Sequence, residues 1–383
     1  MRFIHTGDWH LGRSLHGVSL IDDQAWWLER FIELVRAEKP DAVIVAGDVY
    51  DRAVPPAEAV ALLDATLTTL VRDIGVPVIV VAGNHDSPER VGFGARVLAT
   101  GGLHVAGAVE PHLASVVLGE GEDATRIWLL PYADPIETRA ALGAAATEVH
   151  DHEAAVAAAL ESVKAFGADE PHQVLVSHHF VVGGVASDSE RGLTVGGTGA
   201  VSTSVFDGFD YVALGHLHRR QTLADGRIHY PGSALAYAFD ESGATKAVSV
   251  VTLGDGPPEI VAVELGARRH VRRIAGTYEG VLAGAPFDDA RDDYIEVELD
   301  EPSMPPDALG RLREVYPNLL SLRRREDAYI AGEDEPWSTI RVEQRTDDDL
   351  YEEFFTYVTG EPLPDDQKTE LQGLLTERLG AQR

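Results

Sequence analysis

Three times within its first 86 residues the chain drives an apolar strand into a glycine and then directly into an acid or an amide: "RFIHTGDWH", "DAVIVAGD" and "VPVIVVAGNHD". Helical patterns lie between these runs, over residues 21–37 and, opened by Pro55 and Pro56, over 57–71. Strands that are apolar without alternation belong to a sheet covered on both faces, and strand–helix–strand alternation supplies the cover and makes neighbouring strands parallel. The fold class predicted is therefore α/β. In such sheets ligands bind where the carboxyl ends of the strands emerge, which is where the three polar groups fall.

The rest of the chain continues the pattern. A β segment is read over 125–131, an alanine-rich helix over 153–166, and a strand in "HQVLVSHH". A Gly/Ser-rich loop over 183–204 precedes the strand in "YVALGHLH", and valine-rich strands run to about residue 265. Composition then shifts: a strand, "DDYIEVELD", a helix from about Pro306 and a strand near Leu319 predict a small α+β capping domain over 266–332. A charged linker is expected over 333–349. Two amphipathic helices are expected within 350–383, with Leu350, Phe354, Phe355 and Val358 at helical spacing, as are Leu371, Leu374 and Leu375.

Composition narrows the chemistry. The chain has no cysteine, so any metal must be held by His, Asp, Glu or Asn. No run approaches the roughly 20 apolar residues of a membrane span, and the first residues enter a strand with no leader-like region, so a cytoplasmic protein is expected. The formal net charge of −31 argues against a simple nucleic-acid binder. Two basic clusters, Arg268, Arg269, Arg272 and Arg273, and Arg323 to Arg325, are either a polyanion contact or a face balanced by nearby acids.

Collecting the strand ends gives Asp8 and His10, then Asp48, then Asn84, His85 and Asp86, then His178, and finally His216 and His218. All are hard or borderline donors, and together they would suit two divalent cations. Gly7, Gly47, Gly83 and Gly215 each immediately precede a candidate donor, where a glycine lets the chain turn sharply off its strand. His104, His112 and His229 lie outside the pattern and read as structural.

The order G-D-x-H, G-D, G-N-H-D, H, G-H-x-H resembles the signature of the calcineurin-like metallophosphoesterases. Further stretches are similar to the nuclease subunits of bacterial SbcCD complexes: "GDWHLG", "GDVYDRAVPP", "GNHDSPER", "SERGLTVGGTG", "FDYVALGHLHR" and "YPGSALAYAFDE". The resemblance covers essentially the whole chain. It implies a metallophosphoesterase β-sandwich flanked by helices over 1–265, followed by the capping domain and the C-terminal helices.

The resemblance also implies site roles. Asp8, His10 and His218 would bind one ion, Asn84, His178 and His216 the other, and Asp48 would bridge them. Manganese is the metal implied, and the donor set equally accommodates magnesium, iron or zinc. His85 would contact the scissile phosphate and assist the leaving oxygen, and Asp86 would orient it or cap the turn before Pro88. Some relatives place a histidine shortly after the bridging aspartate; here that segment reads Asp48-Val49-Tyr50-Asp51, so the role is unfilled or falls to Asp51. His179 is read as packing or support. The implied activity is a DNA exonuclease and endonuclease acting with an SbcC-like ATPase in break and hairpin processing. The implied assembly is a homodimer, paired through parts of 57–72 and 88–99, within a heterotetramer. A small-molecule phosphoesterase on the same fold and a non-catalytic scaffold are the other readings; the scaffold is disfavoured because no ligand position is lost.

Overall fold

All five side chains of the strand Ala42–Ala46 are inaccessible to solvent. Side chains on a strand alternate between its two faces, so this burial requires cover on both sides. The computed structural model, which describes residues 1–143, 147–166, 170–190, 199–284, 287–301, 303–325, 364 and 368, shows what supplies it. The strands of the first half are β1 (Arg2–Thr6), β2 (Ala42–Ala46), β3 (Val78–Val81), β4 (Leu103–Ala106), β5 (Ala114–Leu118), β6 (Thr125–Leu129) and β7 (His172–His178). Those that follow are β8 (Tyr211–Gly215), β9 (Gln221–Leu223), β10 (Ile228–Tyr230), β11 (Ala247–Thr252) and β12 (Glu259–Glu264). They form two six-stranded sheets, ordered β12-β11-β1-β2-β3-β4 and β9-β10-β8-β7-β6-β5.

The sheets are mixed in a regular way. β1 through β4 run parallel, and β11 and β12 are added antiparallel at one side. In the second sheet β6, β7, β8 and β10 are parallel, while β5 and β9 are antiparallel edge strands. Ile44 and Ala46 of β2 join Ile79, Ile127, Val174 and Tyr211 in the layer between the sheets. Val43 and Val45 point the other way, onto Leu28, Phe31 and Val35 of helix α1 (Ile21–Glu38). On the far side Leu175 and Val212 meet Ala155, Val156 and Leu160 of helix α4 (His152–Phe166). The continuous apolar runs are thus explained by a helix–sheet–sheet–helix stack.

Between these helices, α2 (Ala57–Thr68) continues as a wider turn to Ile74, stopped by Gly75 in the left-handed conformation, and α3 (Pro135–Leu142) is capped by Asp134 accepting from the N–H groups of Ile136 and Glu137. The small C-terminal unit has three parallel strands, β13 (Val271–Gly276), β14 (Tyr294–Leu299) and β15 (Leu319–Arg324), with helix α5 (Ala308–Val315) before the last. Its own core contains Ile274, Ile295, Val297, Leu299, Leu312 and Tyr316. Met1–Arg325 forms one compact unit, in which Arg269 and the Tyr294 hydroxyl both bond the buried Asp23 carboxylate of α1, at 2.9 and 2.8 Å. The linker and terminal helices expected over 333–383 lie outside the described residues, apart from Pro364 and Lys368, as does the 191–198 part of the Gly/Ser-rich loop.

The arginine clusters resolve toward the balanced-face reading. Arg269 pairs with Asp23, Arg272 with Asp293 at 2.6 Å, Arg273 with Glu296 at 2.7 Å, and Arg325 with Asp300 at 2.8 Å. Partly exposed pairs of this kind contribute only about 0–1 kcal/mol each. Their consequence is electrostatic: these guanidinium groups are already neutralised by carboxylates.

Candidate metal centre

The parallel strands β1, β2, β3, β7 and β8 all end on one rim of the sandwich. Asp8 and His10 follow β1, Asp48 follows β2, Asn84 follows β3, His178 ends β7, and His216 and His218 follow β8. The loops are bonded to one another: Asp8 N–H donates to Gly47 O at 3.0 Å, His10 N–H to Asp48 O at 2.9 Å, and His216 N–H to the Asp8 carboxylate at 2.9 Å. Asp8, His10 and His178 are fully inaccessible, and Asp48, His216 and His218 are buried.

The side chains converge in two groups joined by one carboxylate. His10 Nε2 and His218 Nε2 face each other at 3.0 Å, with Asp8 in the same group. Two neutral imidazoles cannot rest nitrogen lone pair against lone pair, so this arrangement calls for a shared proton or a cation. In the second group Asn84 Oδ1 lies 3.1 Å from His178 Nε2 and 2.9 Å from His216 Nδ1. Asp48 Oδ2 stands between the groups, 3.5 Å from His10 Nε2 and 3.3 Å from His178 Nε2. Asp8, Asp48 and His178 also fall within common reach of a single ion.

Backbone conformation records the cost of this convergence. Asp8, His10, Asp48 and His216 all have positive φ, at 51°, 43°, 46° and 99°, and they make up four of nine such non-glycine residues described. Each such conformation costs about 1–3 kcal/mol and persists where the surroundings enforce it. Of the four glycines only Gly47 takes the left-handed φ that a sharp turn uses, and Gly83 and Gly215 have a different reason from the one expected. A Cβ on Gly47 would collide with His178, one on Gly83 with Asp48, and one on Gly215 with Ala46 O and the His178 ring. These glycines keep open the volume that the donors occupy.

The donor set fits divalent cations. His178 Nδ1 donates to Ala46 O at 2.8 Å, which turns Nε2 and its lone pair into the site. Burial lowers His216 and His218 to about 3, so both are neutral imidazoles, the state in which they can ligate. Burial drives Asp8 up to about 8, the mark of a carboxylate enclosed with too little positive charge. Burial opposes ionisation of Asp48 as well, yet the His178 charge beside it holds it well below the usual range. His178 itself, though burial lowers it, is raised to about 9 by Asp48. The Nε2 lone pair that takes this proton is the one a cation would use. Asn84 Nδ2 is buried without a hydrogen-bond partner among the described residues, as the amide would be if its oxygen were committed to an ion.

Around the donors, several residues have roles that differ from expectation or were not anticipated. Asp86 neither holds the His85 ring nor caps the following turn. Its carboxylate accepts from the N–H groups of Gly83, Val49 and Tyr50 at 2.9, 3.1 and 2.9 Å, pinning the β2 loop to the β3 loop. His85 is held instead by Asp51, whose carbonyl lies 2.9 Å from Nδ1, and its ring meets that of His10 edge-on. The Asp51 carboxylate takes Arg13 at 3.1 Å and faces His10 Nδ1 at 3.6 Å. His10, Asp51 and His85 form a third donor group. His179 bonds the Ala133 N–H and the Ser177 hydroxyl and stacks on Tyr132, so it packs and does not face the donors. Gln24 and Tyr237 bind the carbonyls of the Trp9–His10 turn. Behind His218 stand Ser189, Glu190, Glu241 and Lys246.

A family model for calcineurin-like phosphoesterases matches residues 1–220, more than half of the chain, and the protein belongs to that family. A second model, for the SbcD C-terminal domain and described as the type 5 capsule protein repressor C-terminal domain, matches residues 267–359. The two domains in this order make the chain an SbcD-type member of the family. Among solved structures, the chain is similar to GAP50, the anchor in the inner membrane complex of Plasmodium, with 11% identity, 88% of this chain and 98% of that one covered, and a TM-score of 0.42. It is also similar to a Thermus thermophilus protein (14% identity, 69% and 99% covered, TM-score 0.42) and to a dimetal phosphatase from Danio rerio (14%, 70% and 99%, 0.39). No helix of the described residues is long and apolar enough to cross a membrane.

Proposed function

We propose that the chain is a two-metal phosphodiesterase acting as a cytoplasmic DNA nuclease, an exonuclease on duplex ends and an endonuclease on single strands and hairpins, with an SbcC-like ATPase as partner. The observation that carries the two-metal reading is the Asp48 carboxylate within 3.5 Å of a donor nitrogen of each group. Asp8, His10 and His218 would hold one ion, Asn84, His178 and His216 the other, and Asp48 would serve both. Manganese is the metal we assign. Divalent ions in such a site supply Lewis acidity toward phosphate oxygens and water. The chain's residues do the rest: Ala46 O keeps His178 Nε2 aimed inward, and Asp51 O holds His85 so that its Nε2 is the atom left to meet the phosphate and protonate the leaving oxygen. With the arginine clusters neutralised by their own acids and a net charge of −31, the partner supplies much of the DNA affinity. The segment after residue 349 is assigned to its coiled-coil base.

The test pairs metal content with cleavage of hairpin, linear duplex and single-stranded DNA, with and without the ATPase, against a small aryl phosphodiester. Two manganese ions per chain and DNA cleavage raised by the ATPase are expected. Hydrolysis of the small ester with intact DNA would favour the small-molecule phosphoesterase.

The dimer we assign to the 57–72 and 88–99 segments is supported by apolar side chains that the single chain leaves exposed there: Phe93 at 83%, Val97 at 74% and Val60 at 44%. Light scattering should show a two-chain particle, and Phe93→Asp should reduce it to the 41.3 kDa monomer while leaving metal content unchanged. A wild-type chain that is already monomeric at micromolar concentration would rule the interface out.

A further inference from the structure

The function proposed leaves two of the sequence stretches without a task, the Ser189-Glu190 start of "SERGLTVGGTG" within the Gly/Ser-rich loop and the Phe239-Asp240-Glu241 turn before β11. Both end on His218. Ser189 Oγ lies 2.6 Å from His218 Nδ1 and donates to Glu241 Oε1 at 2.7 Å, while Glu241 itself is 3.7 Å from Nδ1, too far for a direct hydrogen bond. Lys246 Nζ bonds the other Glu241 oxygen, and it also donates to His218 O and Ser233 Oγ at 2.8 Å each. Glu241 is 1% exposed, and the Lys246 ammonium is its counter-charge.

We propose that Glu241 is a positioning residue for His218: through the Ser189 hydroxyl it fixes the imidazole proton on Nδ1 and leaves Nε2 open to a divalent cation. The proton order follows from donor chemistry. An ionised carboxylate accepts only, so the hydrogen-bonded Ser189 hydroxyl must point its proton at Glu241. Its lone pair then faces His218, and the bond of 2.6 Å is made by an Nδ1–H. Nδ1 protonated and Nε2 bare is the one neutral tautomer that turns a lone pair toward His10 Nε2 and the site. Lys246 closes the network by holding Glu241 ionised and by fixing the His218 carbonyl. This is the logic by which a carboxylate behind a ligating histidine sets its tautomer and basicity, here lengthened by one hydroxyl. Lys246 ends the same short connection to β11 whose Ser242 hydroxyl accepts from the Arg273 N–H of β13, so the network also ties His218 to the edge of the small unit.

The inference rests on His218 being a metal ligand, and the experiment separates the two claims. Manganese affinity is measured by calorimetry for the wild type, Ser189→Ala, Ser189→Thr, Glu241→Gln and Asp8→Asn. The His218 tautomer is read from long-range proton–nitrogen spectra of the metal-free chain, with the signal identified by its loss in His218→Gln. Ser189→Ala and Glu241→Gln should weaken manganese binding about 10–100-fold and shift His218 away from the Nδ1–H form. Ser189→Thr, which keeps the hydroxyl, should restore both. If Glu241→Gln does not fold, Ser189→Ala decides. Wild-type affinity and an unmoved tautomer in Ser189→Ala would overturn the proposal, as would an affinity loss that only follows a lower melting temperature with the tautomer unmoved. Equal manganese binding by wild type and Asp8→Asn would overturn the metal site instead, and the tautomer of the metal-free chain would still decide the role of Glu241.

Discussion

Asp48→Asn leaves the fold standing and empties both halves of the site. An asparagine is nearly the same size, and its Oδ1 can still accept the His85 N–H that Asp48 Oδ1 holds at 2.9 Å. The other carboxylate oxygen becomes an NH₂ group, close to His178 Nε2 and His10 Nε2 at 3.3 and 3.5 Å in the parent. That amide donates to the very lone pairs a cation needs and removes the negative charge that would join two cations. Loss of manganese affinity should exceed the roughly 10–100-fold typical of a lost supporting contact, and DNA cleavage should fall with it. Plasma emission spectrometry after dialysis should find neither ion, while the circular dichroism melting curve of the metal-free chain stays close to the parent's. Retention of one tightly held ion would show that Asp48 serves a single group and does not bridge.

Much of this architecture was legible because the layering leaves a local trace. β2 is buried on both faces, so "AVIVA" is apolar without alternation, and the same holds for β3, for β8 and for the 174–176 centre of β7. Each of those strands then exposes its carboxyl end on one rim, which makes the donors visible in sequence as polar residues directly after apolar runs. The π-type continuation of α2 left no such trace, because "TLVRDI" carries ordinary helix-forming residues up to Gly75.

The support behind the donors was not legible, and the reason is distance along the chain. Gln24 reaches the carbonyl of His10 across 14 residues, Tyr237 that of Trp9 across 228, and Glu241 meets Ser189 across 52. No spacing rule links such pairs; only the closed sandwich brings them together. Asp86 misled for the opposite reason. It lies beside His85 and before Pro88, so local roles suggested themselves, whereas its bonds run to Val49 and Tyr50 on the neighbouring strand's loop. The glycines were seen, but the purpose of Gly83 and Gly215 was not. Turn geometry is inferred from the glycine itself, while the collision a Cβ would make with His178 or Asp48 depends on side chains far away in sequence, and no periodicity encodes it.

His85→Gln should separate chemistry from metal binding, because of where its two nitrogens point. Nδ1 is committed to the Asp51 carbonyl at 2.9 Å, a bond that a glutamine amide can reproduce. Nε2 is then the working atom, and glutamine has nothing there that gives up a proton. If His85 protonates the leaving oxygen, the variant keeps both ions and loses about 10²–10⁴ in cleavage rate, the usual worth of such assistance. The competing outcome is concrete, since His10, Asp51 and His85 also stand close enough together to hold an ion. In that case metal content would fall in His85→Gln as it does in Asp48→Asn. The comparison therefore needs both variants, with metal content and single-turnover cleavage measured on the same preparations. Full metal content with a near-parent rate would remove His85 from the chemistry altogether. Full metal content with a rate down by at least about 10² would leave its Nε2 as the group that meets the leaving oxygen.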